Sequence, residues 1–267
     1  MTIWIAMLLG TVQGLCEFLP VSSSGHLVLM QNVFGISEGV LFFDTMVHVG
    51  TLIAVIVVYW KDIIGIFQHL FSKKTGMLIL AMIPTAAIAL LFKDFFVDSY
   101  NGQWLGIGFL ITGLILTLSD RVKLRGKGKE IKEMAATDAL SIGLMQGLAL
   151  MPGISRSGAT ISGGLFCKLD RRFAADFSFL LSAIAIVGSI VFQIPDLVEA
   201  GVGVIDWGCV VIGMGFAALF GFLSIKTMLR LIAHKKLWGF AIYVSILGAL
   251  VLLDQYVFHV FFTTVPF

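Results

Sequence analysis

Charge is scarce in this chain. Asp, Glu, Lys and Arg make up 13% of its residues, where a soluble domain carries about a quarter. Apolar residues reach 58%, and the mean hydropathy is +1.01. So little polar side chain cannot cover a water-facing surface, which excludes a soluble fold and points to an all-α polytopic membrane protein. Cysteine is also rare. Cys16, Cys167 and Cys209 have no metal-ligand spacing, and any disulfide would leave one over; they read as small apolar residues. The first ten residues, MTIWIAMLLG, lack the basic stretch of a signal peptide and are expected to stay in the mature protein. No ring of repeated charges argues for a channel. The net charge is only +2, and no nucleic-acid partner is expected.

What the chain does contain is a repeat. Residues 10–25 lie over 143–158 without a gap, and seven of the sixteen positions are identical: Gly10/Gly143, Gln13/Gln146, Gly14/Gly147, Leu15/Leu148, Ser22/Ser155, Ser24/Ser157 and Gly25/Gly158. The offset is close to half the chain, the mark of an internal duplication. Both copies break an apolar helix with Pro, then Ser, then Gly. Broken polar backbone at membrane depth is tolerated only where protein buries it or a cavity receives it. The two stretches are therefore expected to face each other and form the site.

The apolar pattern divides the same way. A first repeat, 1–119, holds a hairpin at 2–36, too short in each arm for the ~20 residues of a full span. Spans follow at 40–60, 76–93 and 103–119, with a kink expected at Pro84. A basic loop covers 120–137. The second repeat, 138–267, holds a hairpin at 138–168 and spans at 172–194, 204–224 and 238–258. One re-entrant hairpin and three crossings in each half make the repeat inverted, a plan found in many transporters. Sixteen of the eighteen Lys and Arg residues fall in 61–75, 120–137, 168–172 and 225–237, on one face of that plan. The exceptions are Lys93 and Arg156. The positive-inside rule makes the basic face cytoplasmic, so both termini are expected outside.

The breaks carry the chemistry. Gln13 and Glu17 share a face of the first half-helix. Ser22, Ser23 and Ser24 follow Pro20, then Gly25 and His26. Ser caps helices well, so a second half-helix is expected to start here, its N–H groups turned toward an anion. Capping alone would explain the serines, but an acid and an imidazole at membrane depth are functional by default, unless they form a structural pair. The second break brings Ser155, Arg156, Ser157 and Thr160. An Arg fork suits a phosphate, and Glu17 suits a divalent cation; the bland role for Arg156 is to cap carbonyls. Asp44 and His48, also four apart, either extend the site or pair with each other. Asp176 reads as interfacial. Intramembrane phosphate chemistry or transport follows from these residues.

The motifs resemble those of the undecaprenyl-diphosphate phosphatase, or bacitracin-resistance, family. Its (E/Q)xxxE motif is matched by Gln13 and Glu17, its Ser-rich turn and His by Ser22, Ser23, Ser24 and His26, and its PGxSRSxxT by Pro152 to Thr160. Length, motif order and span pattern agree along the chain. The resemblance implies hydrolysis of a polyprenyl diphosphate lipid to monophosphate and phosphate in the bacterial inner membrane, recycling the cell-wall lipid carrier and conferring bacitracin resistance. It implies a Mg²⁺ or Ca²⁺ ion, with Glu17 as the metal ligand. Glu17, Ser23, His26 and Arg156 would be catalytic; Gln13, Ser22, Ser24, Ser155, Ser157 and Thr160 would bind substrate; Asp44 and His48 would stand behind them. The site would open to the extracytoplasmic side. Gln13 stands where some members have Glu. Three nucleophiles stay open: Ser23 with His26 or Glu17 as base, a water activated by Glu17 and the metal, or His26 itself. A flippase using the same site is the competing reading. Membrane lipids are the expected surroundings, and a homodimer stays open.

Overall fold

The computed structural model describes residues 1–36, 39–123, 127–200, 206–234 and 236–262. Arg125, Lys235, the start of the span expected from 204 and the last five residues lie outside these. Twelve α-helices form among the described residues: α1 (Ile3–Phe18), α2 (Ser23–Phe34), α3 (Val40–Val58), α4 (Trp60–Gln68), α5 (Lys73–Leu91), α6 (Lys93–Ser99), α7 (Leu105–Ser119), α8 (Ala136–Leu148), α9 (Arg156–Phe166), α10 (Arg171–Ala200), α11 (Trp207–His234) and α12 (Trp238–Leu253). No strand forms among these residues; one backbone bridge pairs Lys129 with Leu169.

Five helices are long and apolar enough to cross a membrane: α3, α5, the Arg171–Pro195 stretch of α10, the Trp207–Ala233 stretch of α11, and α12 with the π-helical turn Asp254–Phe258 that continues it. The protein is a multi-pass membrane protein. Its outer faces carry Val57, Leu90, Leu91, Leu114, Val191 and Val211 in the open, a surface water would not tolerate over such an extent.

Several elements differ from the pattern read off the sequence. Trp60–Gln68 is helical, where a basic loop was expected: no Pro interrupts it and Asp62 lies in its first turn. Lys226 and Arg230 are helical too. α11 runs on to His234, and Lys226 lies over the Phe222 ring at 4.0 Å, a cation resting its stem on apolar surface. α7 has 15 residues, shorter than a full span. Pro84 lies inside α5, at the position of the expected kink.

Packing exchanges the two halves. α1 lies along α11, and α11 along α3; α8 lies along α5; α7 pairs with α12. Close approach needs glycine. A Cβ on Gly10 would strike the Gly213 carbonyl, and one on Gly143 would strike the Ala81 carbonyl. Gly10 and Gly143 occupy equivalent positions of the repeat, each on a helix meeting the opposite half. Small residues let membrane helices approach closely, where dispersion and backbone contact replace a hydrophobic drive.

Candidate functional site

Each break is built the same way. Ser22 caps α2, its hydroxyl accepting from Gly25 N–H at 3.2 Å, and Ser155 caps α9, accepting from Gly158 N–H at 3.0 Å. The breaks then meet. Ser157 Oγ donates to the Leu19 carbonyl at 3.0 Å, and a Cβ on Gly25 would fall 2.9 Å from Gly153 Cα. α7 backs both. Thr112 donates to the Gly153 carbonyl at 2.8 Å and accepts from Ser155 N–H at 2.9 Å, while Phe109 lies against Gly25. The chain reverses through Gly153, at φ 90°, in the second break and through Ser22, at φ 69°, in the first. A non-glycine residue there costs about 1–3 kcal/mol and persists only when its surroundings over-determine it.

Glu17 is the hub, with its side chain 2% exposed. Its Oε2 accepts from Ser23 Oγ at 2.5 Å and from Gln13 Nε2 at 3.0 Å. Arg156 Nη1, from the opposite break, lies 3.7 Å from Oε1, and His48 Nε2, from α3, lies 3.8 Å from Oε2. One carboxylate thus draws a hydroxyl and an amide from the first break, a guanidinium from the second and an imidazole from a spanning helix. Glu17 Oε1, Gln13 Oε1 and Arg156 Nη1 are buried without a hydrogen-bond partner. Buried polar atoms are normally satisfied, so three orphans in one cluster call for a ligand. Two are oxygens suited to a hard cation and one is a donor suited to a phosphate.

The other expected residues sit differently. His26 does not reach Glu17 or Ser23. Its Nδ1 lies 2.7 Å from the Ser22 carbonyl and its Nε2 2.7 Å from Tyr243 Oη of α12. Asp44 is not bonded to the His48 ring through its carboxylate. Its Oδ1 accepts from Gln31, and its backbone carbonyl accepts from His48 Nδ1 at 2.6 Å. Thr160 donates to the Arg156 carbonyl at 2.8 Å and pairs with Ser178. Ser24 lies 3.5 Å from the Ser22 hydroxyl, and Ser155 lies 3.3 Å from that of Ser157. These hydroxyls shape the breaks. Asp176 accepts from Tyr59 and Arg172 near the start of α10.

Comparison with known families places the chain. The family model described as bacitracin resistance protein BacA matches residues 6–250, nearly the whole chain and both breaks. The chain belongs to that family. It is similar to an undecaprenyl-diphosphatase of Carboxydothermus hydrogenoformans, 46% identical over 253 residues, covering 94% of this chain and 96% of the relative. Undecaprenyl-diphosphatase 4 of Bacillus thuringiensis is 44% identical over 260 residues, covering 97% and 99% of the two chains. An undecaprenyl-diphosphatase of Halothermothrix orenii is 41% identical over 256 residues, covering 95% and 98%.

In this member of the BacA family, motif reading missed Tyr243, Thr112 and Ser178. Thr112 and Ser178 sit inside ordinary spans and carry no spacing signal. Tyr243 had one faint mark, a phenol within an otherwise apolar run.

Proposed function

We propose that this chain is an integral-membrane undecaprenyl-diphosphate phosphatase. It hydrolyses the lipid diphosphate to the monophosphate and phosphate, so recycling the cell-wall lipid carrier and conferring tolerance of bacitracin. The observation that carries the reaction is the hydrogen bond from Ser23 Oγ to Glu17 Oε2, with Arg156 beside the same carboxylate. Glu17 takes the Ser23 proton as the oxygen attacks the terminal phosphorus. The bond to the bridging oxygen breaks, and the prenyl monophosphate leaves. Water then hydrolyses the phosphoserine. Arg156, opening α9, neutralises the phosphoryl oxygens together with the helix N-termini.

Glu17 Oε1 and Gln13 Oε1 are the oxygens that would hold a divalent cation. No group of three His, Cys, Asp or Glu side chains forms a cage among the described residues, which suits an ion completed by substrate phosphates and water. Such a cation would neutralise charge on the diphosphate oxygens. A carrier for the lipid would need Arg156 and the helix ends but not the Ser23–Glu17 pair, so hydrolysis is the better reading. Phosphate release from purified protein and undecaprenyl diphosphate in detergent tests it. Wild type that releases none with Mg²⁺ or Ca²⁺ restored after chelation would leave only the carrier.

The same proposal includes re-entrant hairpins α1–α2 and α8–α9 in an inverted repeat, with both termini extracytoplasmic and the site opening to that side. The exchanged packing of α1 on α11 and α8 on α5, and the matching Ser caps, support the repeat. The basic asymmetry supports the orientation. Reporters fused after Phe267 and within the basic loop at Gly126 should lie on opposite sides; the same side for both would remove this plan.

A further inference from the structure

We propose that Tyr243 is a positioning residue for the Ser23 nucleophile, acting through His26. The inference rests on Ser23 being the attacking group. The geometry is a chain of contacts across the molecule. Tyr243 Oη and His26 Nε2 are 2.7 Å apart, and the rings stack with centroids 5.7 Å apart and planes 13° from parallel. Phe109 of α7 meets the His26 ring edge-on, at 5.3 Å. On its far side His26 Nδ1 faces the Ser22 carbonyl. A carbonyl only accepts, so Nδ1 carries a hydrogen. In the neutral ring Nε2 then accepts, and Tyr243 donates.

Ser22 is the residue held at φ 69°. The second break does not ask this of a side-chain residue, since its left-handed position is Gly153. The strained serine therefore needs fixing from outside, and the fixed imidazole does so from the carbonyl while Gly25 N–H does so from the hydroxyl. The next residue is Ser23, whose Oγ must reach Glu17. Tyr243 thus sets the rotation of His26, whose tautomer the Ser22 carbonyl fixes; His26 holds the turn, and the turn aims the nucleophile. Neither nitrogen of His26 is left to take a proton from Ser23.

The position of Tyr243 fits a tuning role rather than a packing one. It is 48% exposed and lines a groove of about 480 Å³ between the end of α1 and the start of α12, with Leu15, Cys16, Leu19 and Phe240. Tyr243→Phe removes one oxygen there and keeps the stacked ring.

The test uses full-length wild type, Tyr243→Phe, His26→Gln and the double variant in detergent. Phosphate release from undecaprenyl diphosphate is measured as kcat and KM. Histidine ¹⁵N shifts are recorded on wild type and Tyr243→Phe, with His26→Gln assigning the signal. Tyr243→Phe should lower kcat about tenfold, the kinetic equivalent of one hydrogen bond, with KM within about twofold. It should add nothing to His26→Gln, since the two act in series. His26 should show the Nδ1–H tautomer in both proteins, with its Nε2 shift moved in Tyr243→Phe by loss of the phenol's hydrogen bond. Unchanged kcat in Tyr243→Phe, or a double variant that loses the product of the two single effects, would overturn the proposal. If wild type releases no phosphate, the hydrolysis reading fails on its own. The nitrogen shifts then still decide the contact: identical His26 shifts in the two proteins would overturn it.

Discussion

Ser23 and Glu17 lie on opposite sides of a helix break, six residues apart, and share a hydrogen bond of 2.5 Å. The serine opens α2 and the acid ends α1 one turn before the break. Neither half-helix alone could hold them at that distance. The break itself is the part that assembles them.

If the pair works as a unit, Glu17→Gln and Ser23→Ala should each cut phosphate release by at least about a hundredfold, on the scale of general-base help. The double variant should be little worse than either, as for groups that act together. Steady-state rates of the three proteins check this. Multiplying losses would show that the two residues act separately.

Arg156 approaches Glu17 through one guanidinium nitrogen that has no hydrogen-bond partner. Arg156→Lys keeps the charge and removes the planar fork, so most activity should still be lost, by about tenfold or more. Near-normal turnover in a folded Arg156→Lys protein would reduce the residue to a structural counter-charge.

Chelation should abolish phosphate release, and Mg²⁺ or Ca²⁺ should restore it. Gln13→Glu places a second carboxylate beside Glu17. It should lower the metal concentration that gives half-maximal rate, because added ligand charge tightens a hard-cation site. A metal titration of the two proteins reads this directly. An unchanged midpoint would place the ion away from Gln13.

Gly10→Val should destabilise the protein by about 1–3 kcal/mol through overpacking, because its Cβ would strike the Gly213 carbonyl of α11. Gly65→Val in α4 meets nothing within 4 Å and should leave the melting temperature in detergent close to wild type. Equal melting of both variants would contradict the tight α1–α11 contact.

The parts of this molecule legible in its sequence are those written in local grammar. Ser22 and Ser155 cap helices because each follows a Pro-containing break and precedes a Gly at the third position, and both caps sit where that spacing puts them. The meeting of Glu17 with Arg156 followed from the duplication, which pairs the two breaks. What stayed hidden depends on distant partners. The spacing of Asp44 and His48 left two readings, an extension of the site or a pair; Gln31 takes the carboxylate and the His48 ring lies 3.8 Å from Glu17, a choice that spacing alone does not make. His26 was expected beside Ser23, but a phenol 217 residues away holds it. α4 and the long end of α11 look like loops in the sequence because their charge suggests solvent exposure, whereas an amphipathic helix carries charge on one face and needs no break.

The exchange of helices between the halves sets an order of assembly. α1 is synthesised well before its main partner: the helix that seats its glycine face begins about 190 residues after α1 ends. At about 5–20 residues per second, that is some 10–40 seconds of synthesis. During that time Gln13 and Glu17 sit on an arm that has α2 and α3 to pack on but not α11. α1 is thus made long before it can reach its final place, and Arg156 arrives before the helix that clamps the arm bearing Glu17.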